Sequence, residues 1–304
     1  MVVPLYNHER YVVAALESVF RQSARPREVI VIDDGSSDGS FELVRKTFGD
    51  EEGLVLWSKP NGGAHHTINA GIHRATSSNI AILNSDDRYE PERLQRCVEL
   101  LESHREADVV CTGVAFIDGE GERARHEWYE ERRGYYLRSG DLALSLVRGN
   151  FLMSTSNFVV RRAAFEKFGY FGKFRYAHDL AFLLRVLARG GEIHVDPRPL
   201  LQYRVHDSNT IRSGGHEVKV ELAAVLSEYL LNRGHANPDK RKADYFRMLY
   251  EASNMHDLSR ILSPVMAAVI AGSRGGGGAD DLLADAEFVK FISDIERWQA
   301  PAIP

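Results

Sequence analysis

Residues 80–87 read Ile80-Ala81-Ile82-Leu83-Asn84-Ser85-Asp86-Asp87, a short apolar run that ends in a polar and acidic stretch. A second apolar run, Val29-Ile30-Val31-Ile32, ends in the pair Asp33-Asp34. Continuous apolar runs of this length, bounded by turn residues, indicate buried strands of a parallel sheet. Because ligands bind beyond the carboxyl ends of the strands in open α/β sheets, we expect both acidic pairs to face one crevice.

Neighbouring carboxylates repel each other unless a cation or a set of hydrogen-bond donors offsets their charge. Mg²⁺ and Mn²⁺ prefer carboxylate oxygens and bind phosphates together with one or two protein carboxylates. The two acidic pairs therefore predict a divalent cation that carries a diphosphate. The competing interpretation is a pair of strand-ending turns in which the carboxylates only cap the following helices. The residues alone leave both interpretations open.

The composition describes an ordinary globular chain. It has 304 residues, 44% of them hydrophobic and 27% charged, enough for one large domain with an appendage. Its 38 basic against 43 acidic residues give a net charge of −5, so no basic surface indicates nucleic acid. Cys97 and Cys111 have no metal-ligand spacing and are predicted to be buried, reduced thiols.

A signal peptide is not expected, because the polar residues Asn7-His8-Glu9-Arg10 interrupt the apolar start. No apolar run approaches the ~20 residues of a membrane span. A cytoplasmic location is expected. Peripheral association with the cytoplasmic face of a membrane is left open as an alternative.

The first half of the chain alternates strand and helix patterns. Strands are predicted over 1–5, 28–34, 54–57, 80–83 and 109–116, with helices between them. Repeated units of this kind predict an α/β fold with a mainly parallel, doubly wound sheet between helices. Further strands are predicted over 154–160 and 200–205, and a helix over 179–189.

Two later regions depart from this alternation. Residues 119–138 are rich in charged and aromatic side chains and are predicted to form a loop, either an acceptor-side lid or a solvated segment. From residue 215 the pattern is purely helical, over about 217–232, 239–255, 258–271 and 281–298, with a flexible glycine break at 275–278. We therefore predict two domains, 1–214 and a helical extension at 215–304.

An ordered set of motifs resembles the family 2 glycosyltransferases. The motifs are Pro4-Leu5-Tyr6-Asn7, Leu16-Glu17-Ser18-Val19 with Gln22, the stretch 28–40 that contains Asp33-Asp34-Gly35, Asn69-Ala70-Gly71-Ile72, Leu83-Asn84-Ser85-Asp86-Asp87, Arg161-Arg162, Gly169-Tyr170-Phe171, His178-Asp179 and Tyr203-Arg204-Val205-His206. Each motif alone is weakly specific, whereas the ordered set, over residues 1 to about 212, is specific. The resemblance implies a GT-A-type nucleotide-sugar-binding fold.

The resemblance also implies roles for individual residues. Asp34 would contact the nucleotide base, Asp86 the ribose, and Asp87 with His206 the metal, while Asp179 would be the general base. The nucleotide-sugar-binding set would consist of Pro4, Tyr6, Asn7, Glu9, Asp34, Gly62, Asn69, Ser85, Asp86 and Arg204. Two positions depart from the family pattern: Asn84 stands where many members have Asp, and His178 where an acidic residue usually precedes the base.

The function implied is a metal-dependent, inverting glycosyltransferase of the hexosyltransferase type. It would use Mn²⁺ or Mg²⁺ and move a sugar from a nucleotide-diphospho-sugar, with UDP favoured, to a hydroxyl of a sugar or lipid-linked glycan acceptor. Surface polysaccharide or glycoconjugate synthesis is the setting that the resemblance favours.

Two other functions are weighed against this one. A sugar nucleotidyltransferase would need a glycine-rich, basic phosphate loop after the first strand, where Pro4-Leu5-Tyr6-Asn7 stands instead. A non-catalytic nucleotide-sugar-binding scaffold would not need the acidic residues at 34, 86, 87 and 179. In the helical extension, residues 261–270 are apolar enough for a homo-oligomer interface or a membrane surface. Because only Arg260 and Arg274 flank that segment, packing on a partner or on the main domain is favoured.

Overall fold

The structure, a computed structural model, describes residues 1–207, 209, 215–235, 242–255, 258, 261–274, 281 and 283–297. These residues group into two compact units. The first consists of Met1–Trp128, Leu152–Arg175 and Arg189–Asp207, and the second of Tyr129–Phe151, Tyr176–Ala188 and the described residues after 207. The domain boundary at residue 214 stays a prediction, and the glycine break at 275–278 lies outside the described residues.

Three parallel strands, β1 (Val2–Leu5), β2 (Val29–Asp33) and β3 (Leu54–Ser58), form the first sheet of the first unit. Helix α1 (Val12–Phe20) connects β1 to β2, and α2 (Ser40–Phe48) connects β2 to β3. Strand β2 is buried along its whole length, which explains why its sequence is apolar without alternation.

The second sheet of this unit is mixed, with strands β4 (Asn79–Ala81), β5 (Arg88–Tyr89), β6 (Ala107–Ile117), β7 (Arg123–Ala124), β8 (Val159–Arg161) and β9 (Glu192–Arg204). Five of them lie in the order β4-β8-β6-β9-β5, and β7 pairs with β6 outside this order. Strands β6 and β9 run parallel, whereas the other pairs, including β7 on β6, are antiparallel. A parallel bridge between Val2 and Ile82 brings the segment after β4 beside β1.

Two strand predictions are corrected by the structure. The predicted strand over 154–160 begins instead with a 3₁₀ turn at Thr155–Asn157, in which the hydroxyl of Ser154 accepts the N–H of Ser156. The strand predicted over 200–205 is the end of the much longer β9. Pro197 and Pro199 cannot donate hydrogen bonds, and the register of β9 against β6 shifts near them, so the sequence pattern hides its first half.

The remaining helices complete the two units. Helices α3 (Ala64–Arg74), α4 (Arg93–Ser103) and α7 (Arg162–Phe168) belong to the first unit. Helix α5 (Glu127–Ser139) has its first two residues in the first unit and the others in the second. The second unit also contains α6 (Leu142–Arg148), α8 (His178–Ala188), α9 (Gly215–His235), α10 (Lys242–Met255), α11 (Leu262–Arg274) and α12 (Ala286–Arg297). Among the described helices, none has both the length and the apolar character that crossing a bilayer requires.

The prediction of a loop over 119–138 is wrong, because α5 occupies most of that segment. Only Tyr129 and Arg132 are buried along this helix. One of the two is an arginine, so the helix presents no apolar face for the sequence pattern to reveal. Helix α11 contains most of residues 261–270, for which packing on a partner or on the main domain is predicted, and it packs against α9 within the second unit. A homo-oligomer interface stays a prediction.

Gly71 lies where α3 packs on β1 and β2. A Cβ atom at this position would collide with Val2 and lie 2.8 Å from Cδ1 of Ile32. We expect Gly71→Ala to lower the free energy of unfolding by about 1–3 kcal/mol, because the tightly packed core must shift. Urea denaturation followed by circular dichroism measures this change.

Gly134→Ala is the matched control in α5. A Cβ atom there would meet the flexible end of Arg138. Alanine is a better helix former than glycine, so this variant should keep or raise the free energy of unfolding. Equal midpoints for wild type and Gly71→Ala would contradict the proposed close packing.

Candidate active site

The first acidic pair ends β2 and organises the turn that follows it. Asp33 accepts a hydrogen bond from the hydroxyl of Ser58 at 2.6 Å and a longer one from the N–H of Ser36 at 3.2 Å. Its carboxylate therefore ties the end of β3 to the loop after β2, which is the turn-forming role that the sequence left open for this pair.

Asp34 binds a different loop, the one that follows β3. Its two carboxylate oxygens accept the N–H groups of Gly62 and Gly63, each at 2.9 Å, and the same carboxylate forms an ion pair with Lys59. The side chain of Asp34 is only 5% exposed. The structure thus brings Asp34 and Gly62, both predicted to bind the nucleotide, into direct contact at the ends of β2 and β3.

The loop after β1 is joined to the loop after β2. Asn7 has a left-handed backbone, with φ of 50°, and its N–H donates to the hydroxyl of Ser36 at 2.9 Å. Its side-chain oxygen accepts the N–H of Ser37 at 2.8 Å, and Glu9 accepts the N–H of Gly39 at 3.0 Å. Asn7 and Glu9 therefore shape the same strand-end surface as Asp34.

Three other predicted binding residues differ in their surroundings. Pro4 lies in β1 opposite Ile32, and Tyr6 is 48% exposed just after the strand. Asn69, in α3, exchanges two hydrogen bonds with the backbone of Phe171, at 2.9 and 3.1 Å. The amide of Asn69 is thus engaged in holding the chain, and its predicted contact with the nucleotide stays a prediction.

Asp86 lies in a cluster with two histidines from distant parts of the sequence. Nε2 of His206 is 3.0 Å from Oδ2 of Asp86, and Nε2 of His8 is 4.0 Å from the same oxygen. One ligand atom from each of the three residues falls within 4.8 Å of the others. His8 follows β1, Asp86 follows β4 and His206 follows β9, so three strand ends meet here.

The two adjacent carboxylates have opposite electrostatic surroundings. Burial raises the pKa of Asp86, but the charge of His8 and the hydrogen bond from His206 outweigh it and hold the pKa below its ordinary value. Burial and the neighbouring charge of Asp86 raise the pKa of Asp87 well above its ordinary value. The surroundings of Asp86 thus favour its ionised form, whereas those of Asp87 disfavour it.

Asp87 points into a set of hydrogen bonds within the protein. It accepts the hydroxyl of Ser156 at 2.6 Å and the N–H of Arg204 at 2.8 Å, and it is 1% exposed. Ser85 is equally buried, and its hydroxyl lies 2.8 Å from Nδ1 of His8. Asp87 thus links the segment after β4 to the end of β9, and it does not join the cluster of Asp86.

Arg204 holds the backbone around the cluster. Its guanidinium donates to the carbonyl oxygens of Asp86 and Asp118, at 2.8 and 2.9 Å, and lies 4.9 Å from the ring centroid of Tyr11. Burial lowers the pKa of Arg204. These contacts position the acidic segment, while the predicted contact of Arg204 with a diphosphate stays a prediction.

A buried arginine supports the segment that holds Asp87. Arg93 is fully buried, donates to the side chains of Thr112 and Asn157, and lies 4.5 Å from the ring centroid of Tyr89. The hydroxyl of Tyr89 in turn donates to the carbonyl oxygen of Ser156 at 2.8 Å. This network fixes the turn that presents the Ser156 hydroxyl to Asp87.

Asp179 lies in the first turn of α8, in the second unit. Its carboxylate accepts the side-chain amide of Asn150 at 2.9 Å and the N–H of Leu180 at 2.7 Å. Burial raises the pKa of Asp179 to about 7, against the effect of these hydrogen bonds, and the charge of Glu221 adds to the increase. A carboxyl group with this pKa changes charge in the pH range in which general bases work.

The segment before Asp179 is held by the helical extension. Glu221, on α9, accepts the N–H groups of Tyr176 and Ala177 at 2.7 and 3.0 Å, and Glu217 accepts the hydroxyl of Tyr176 at 2.8 Å. Helix α9 therefore fixes the entry to α8. No sequence pattern marks Glu221, because a single glutamate within a predicted helix carries no distinguishing signal.

The sequence model of glycosyl transferase family 2 matches residues 1–169, which is more than half of the chain. The chain belongs to glycosyl transferase family 2. This family 2 glycosyltransferase is 27% identical over 237 residues to an uncharacterized glycosyltransferase of Rickettsia typhi, covering 76% of this chain and 70% of the relative. It is 27% identical over 285 residues to an uncharacterized glycosyltransferase of Nostoc sp., covering 86% and 85%.

Solved structures similar to this glycosyltransferase confirm the predicted α/β fold of GT-A type. S. aureus TarS in complex with UDP-GlcNAc gives a TM-score of 0.64 at 20% identity, covering 85% of this chain and 72% of TarS. The mannosyltransferase PcManGT from Pyrobaculum calidifontis, in complex with GDP-Man and Mn²⁺, gives 0.58 at 18% identity, covering 96% and 82%. At these identities the likeness establishes the fold alone.

The family 2 glycosyltransferase has a candidate cation site that fits a divalent metal. One carboxylate oxygen and two imidazole nitrogens converge within 4.8 Å, which is a suitable donor set for such an ion. The cluster includes His206, which the sequence analysis assigned to the metal. It contains Asp86 in place of Asp87, because Asp87 is directed at Ser156 and Arg204.

His8 is the residue of this site that the sequence analysis missed. It stands directly after Pro4-Leu5-Tyr6-Asn7, at the end of β1, but no functional role is predicted for it from the sequence. The sequence signal that could have indicated His8 is its position, one residue beyond a motif at the end of a strand. Its partner Asp86 is 78 positions away along the chain, so the sequence could not show their contact.

Proposed function

We propose that this glycosyltransferase moves a sugar from a nucleotide-diphospho-sugar to an acceptor hydroxyl, in a cation-dependent reaction that inverts the anomeric centre. The observation that carries the proposal is the convergence of Asp86, His8 and His206 at three strand ends. Ligands of open α/β sheets bind beyond these strand ends. UDP is the favoured nucleotide, supported by the UDP-GlcNAc and UDP complexes of TarS, while the GDP-Man complex of PcManGT makes GDP the comparison to test.

Asp86 and His206 would hold the cation. When bound there, a divalent cation would neutralise the charge that develops on the nucleoside diphosphate as it leaves. Asp86 suits this role because its surroundings favour the ionised form and because it faces the histidines. Arg204 and Asp87 would keep the acidic segment in place, through the backbone contacts that join it to the end of β9.

Asp179 would be the general base. A base must remove the proton of the acceptor hydroxyl as that oxygen attacks the anomeric carbon. The raised pKa of about 7 lets Asp179 take up a proton more readily than an ordinary aspartate does. Attack by the acceptor in a single displacement inverts the configuration at the anomeric carbon, so no covalent glycosyl-enzyme intermediate is required.

The acceptor is proposed to be a sugar or a lipid-linked glycan. A 97-residue stretch of this chain is 33% identical to the chondroitin synthase of Pasteurella multocida, covering 32% of this chain and 10% of the synthase. Similarity to a chondroitin synthase supports a glycan product. The same similarity supports surface polysaccharide or glycoconjugate synthesis as the process in which the enzyme acts.

Nucleotide titration tests this proposal. We expect UDP to bind in the presence of Mn²⁺ and its affinity to fall when EDTA removes the cation, as measured by isothermal titration calorimetry with GDP as the comparison nucleotide. A donor screen that detects released UDP or GDP then identifies the sugar. Failure to bind either nucleotide would contradict the proposal, and release of pyrophosphate from a nucleoside triphosphate and a sugar phosphate would indicate a nucleotidyltransferase.

A further inference from the structure

Two imidazole nitrogens face one oxygen of Asp86. Nε2 of His206 lies 3.0 Å from Oδ2, and Nε2 of His8 lies 4.0 Å from the same atom. An unprotonated imidazole nitrogen directs a lone pair at this anionic oxygen, which is unfavourable unless a proton or a cation lies between them. Within the described part of the chain, this is the one group of potential metal ligands that converges in this way.

His8 is held in this orientation from two sides. Its Nδ1 lies 2.8 Å from the hydroxyl of the buried Ser85, and its backbone N–H donates to the hydroxyl of Ser40 at 2.9 Å. Because Ser85 occupies Nδ1, Nε2 is the ring nitrogen that faces Asp86. Metal-binding histidines are typically oriented by such a hydrogen bond at the other ring nitrogen.

Tyr11 packs against both imidazole rings. Its ring centroid lies 4.8 Å from that of His206 and 6.0 Å from that of His8, and the two imidazoles are perpendicular with centroids 5.8 Å apart. The side chains of His8 and His206 are 20% and 5% exposed. Both rings are therefore ordered before any ligand arrives, which reduces the entropy lost on binding.

We propose that His8 is a third protein ligand of the donor cation and makes the site select first-row transition ions such as Mn²⁺ against Mg²⁺. The inference rests on the proposed function, since it concerns the same cation. Two ligand atoms on opposite sides of an ion lie about 4.2 Å apart for bonds of about 2.1 Å, so a separation of 4.0 Å can be bridged. Mg²⁺ is usually bound through carboxylates, phosphates and water, whereas imidazole nitrogen favours transition ions.

The test compares cation binding by wild type, His8→Ala and His8→Gln in the presence of UDP. We expect His8→Ala to weaken Mn²⁺ binding by about tenfold or more and to change Mg²⁺ binding by less than about twofold. Isothermal titration calorimetry measures both affinities. Pulsed electron paramagnetic resonance of bound Mn²⁺ counts the coupled imidazole nitrogens, which should be two in wild type and one in either variant.

His104→Ala is the matched control. This histidine, directly after α4, packs against His194 with a centroid distance of 4.0 Å and an angle of 33° between the rings, and it is not part of the cation cluster. Its replacement should leave both affinities and the nitrogen count unchanged.

The outcomes separate the two proposals. A wild-type protein that binds UDP and Mn²⁺ with a single coupled nitrogen would overturn the inference about His8 and leave the proposed function standing. Equal losses of Mn²⁺ and Mg²⁺ affinity in both variants would also overturn it. A wild-type protein that binds no Mn²⁺ with UDP would overturn both. The nitrogen count on wild type decides the question even where a variant fails to fold.

Discussion

Asp86→Asn should abolish cation-dependent nucleotide binding and lower sugar transfer by about 100-fold or more. The asparagine keeps the size of the side chain but removes the negative charge that attracts the cation. It also leaves His8 and His206 facing a neutral amide, which is a poor ligand for a divalent ion. Calorimetric titration of UDP with Mn²⁺ measures the first effect, and released UDP measures the second.

Asp87→Asn is the matched control, one residue further along the chain. Asp87 accepts hydrogen bonds from Ser156 and Arg204, and burial together with the charge of Asp86 raises its pKa well above the ordinary value. An asparagine can accept the N–H of Arg204 and donate to the hydroxyl of Ser156, so the local contacts survive. We expect Mn²⁺-dependent UDP binding close to that of wild type, with a change in stability of about 1 kcal/mol.

The pair of variants decides between two assignments of the metal. The sequence, through its family resemblance, assigned the metal to Asp87, whereas the geometry favours Asp86. Loss of cation binding in Asp87→Asn with normal binding in Asp86→Asn would restore the assignment to Asp87. The opposite result supports the cluster of Asp86, His8 and His206 as the cation site.

The parallel sheet could be predicted because burial on both faces leaves a direct trace in the sequence. Strand β2 is apolar at four consecutive positions, which neither a half-exposed strand nor an amphipathic helix would require. The same reasoning failed for β9, where two prolines and shifts of register interrupt the pattern. It failed for α5 because a helix with buried Tyr129 and Arg132 has no apolar stripe.

The sequence indicated where the candidate site lies, but not which of its residues contact one another. Acidic residues at strand ends, together with the resemblance, indicated where a nucleotide would bind. Which carboxylate faces a metal depends on contacts such as Asp86 with His206, which are 120 positions apart and set by tertiary structure. The raised pKa of Asp179 likewise depends on its burial in the folded protein and, to a smaller extent, on Glu221, which no spacing rule connects to it.

Asp179→Asn should lower kcat for transfer by about 10²–10⁴-fold while leaving Mn²⁺-dependent UDP binding unchanged. The amide cannot accept the proton of the acceptor hydroxyl. In wild type the transfer rate should rise with pH and level off above the pKa of Asp179, about 7, because the base must be ionised. Asp141→Asn is the control: Asp141 caps α6 in the same unit through the N–H of Leu144, and asparagine caps equally well.

The same substitution should raise the thermal stability above neutral pH. The carboxyl group of Asp179 ionises near 3.8 in an unfolded chain but near 7 in the folded one. The folded state therefore binds more protons between these values, and the free energy of unfolding falls as pH rises from about 4 to about 7. Asp179→Asn removes this loss, so its melting temperature should exceed that of wild type at pH 8 and match it near pH 4. A variant that is less stable than wild type at pH 8 would contradict this prediction and would show that the ionised carboxylate of Asp179 stabilises the fold through its hydrogen bonds with Asn150 and Leu180.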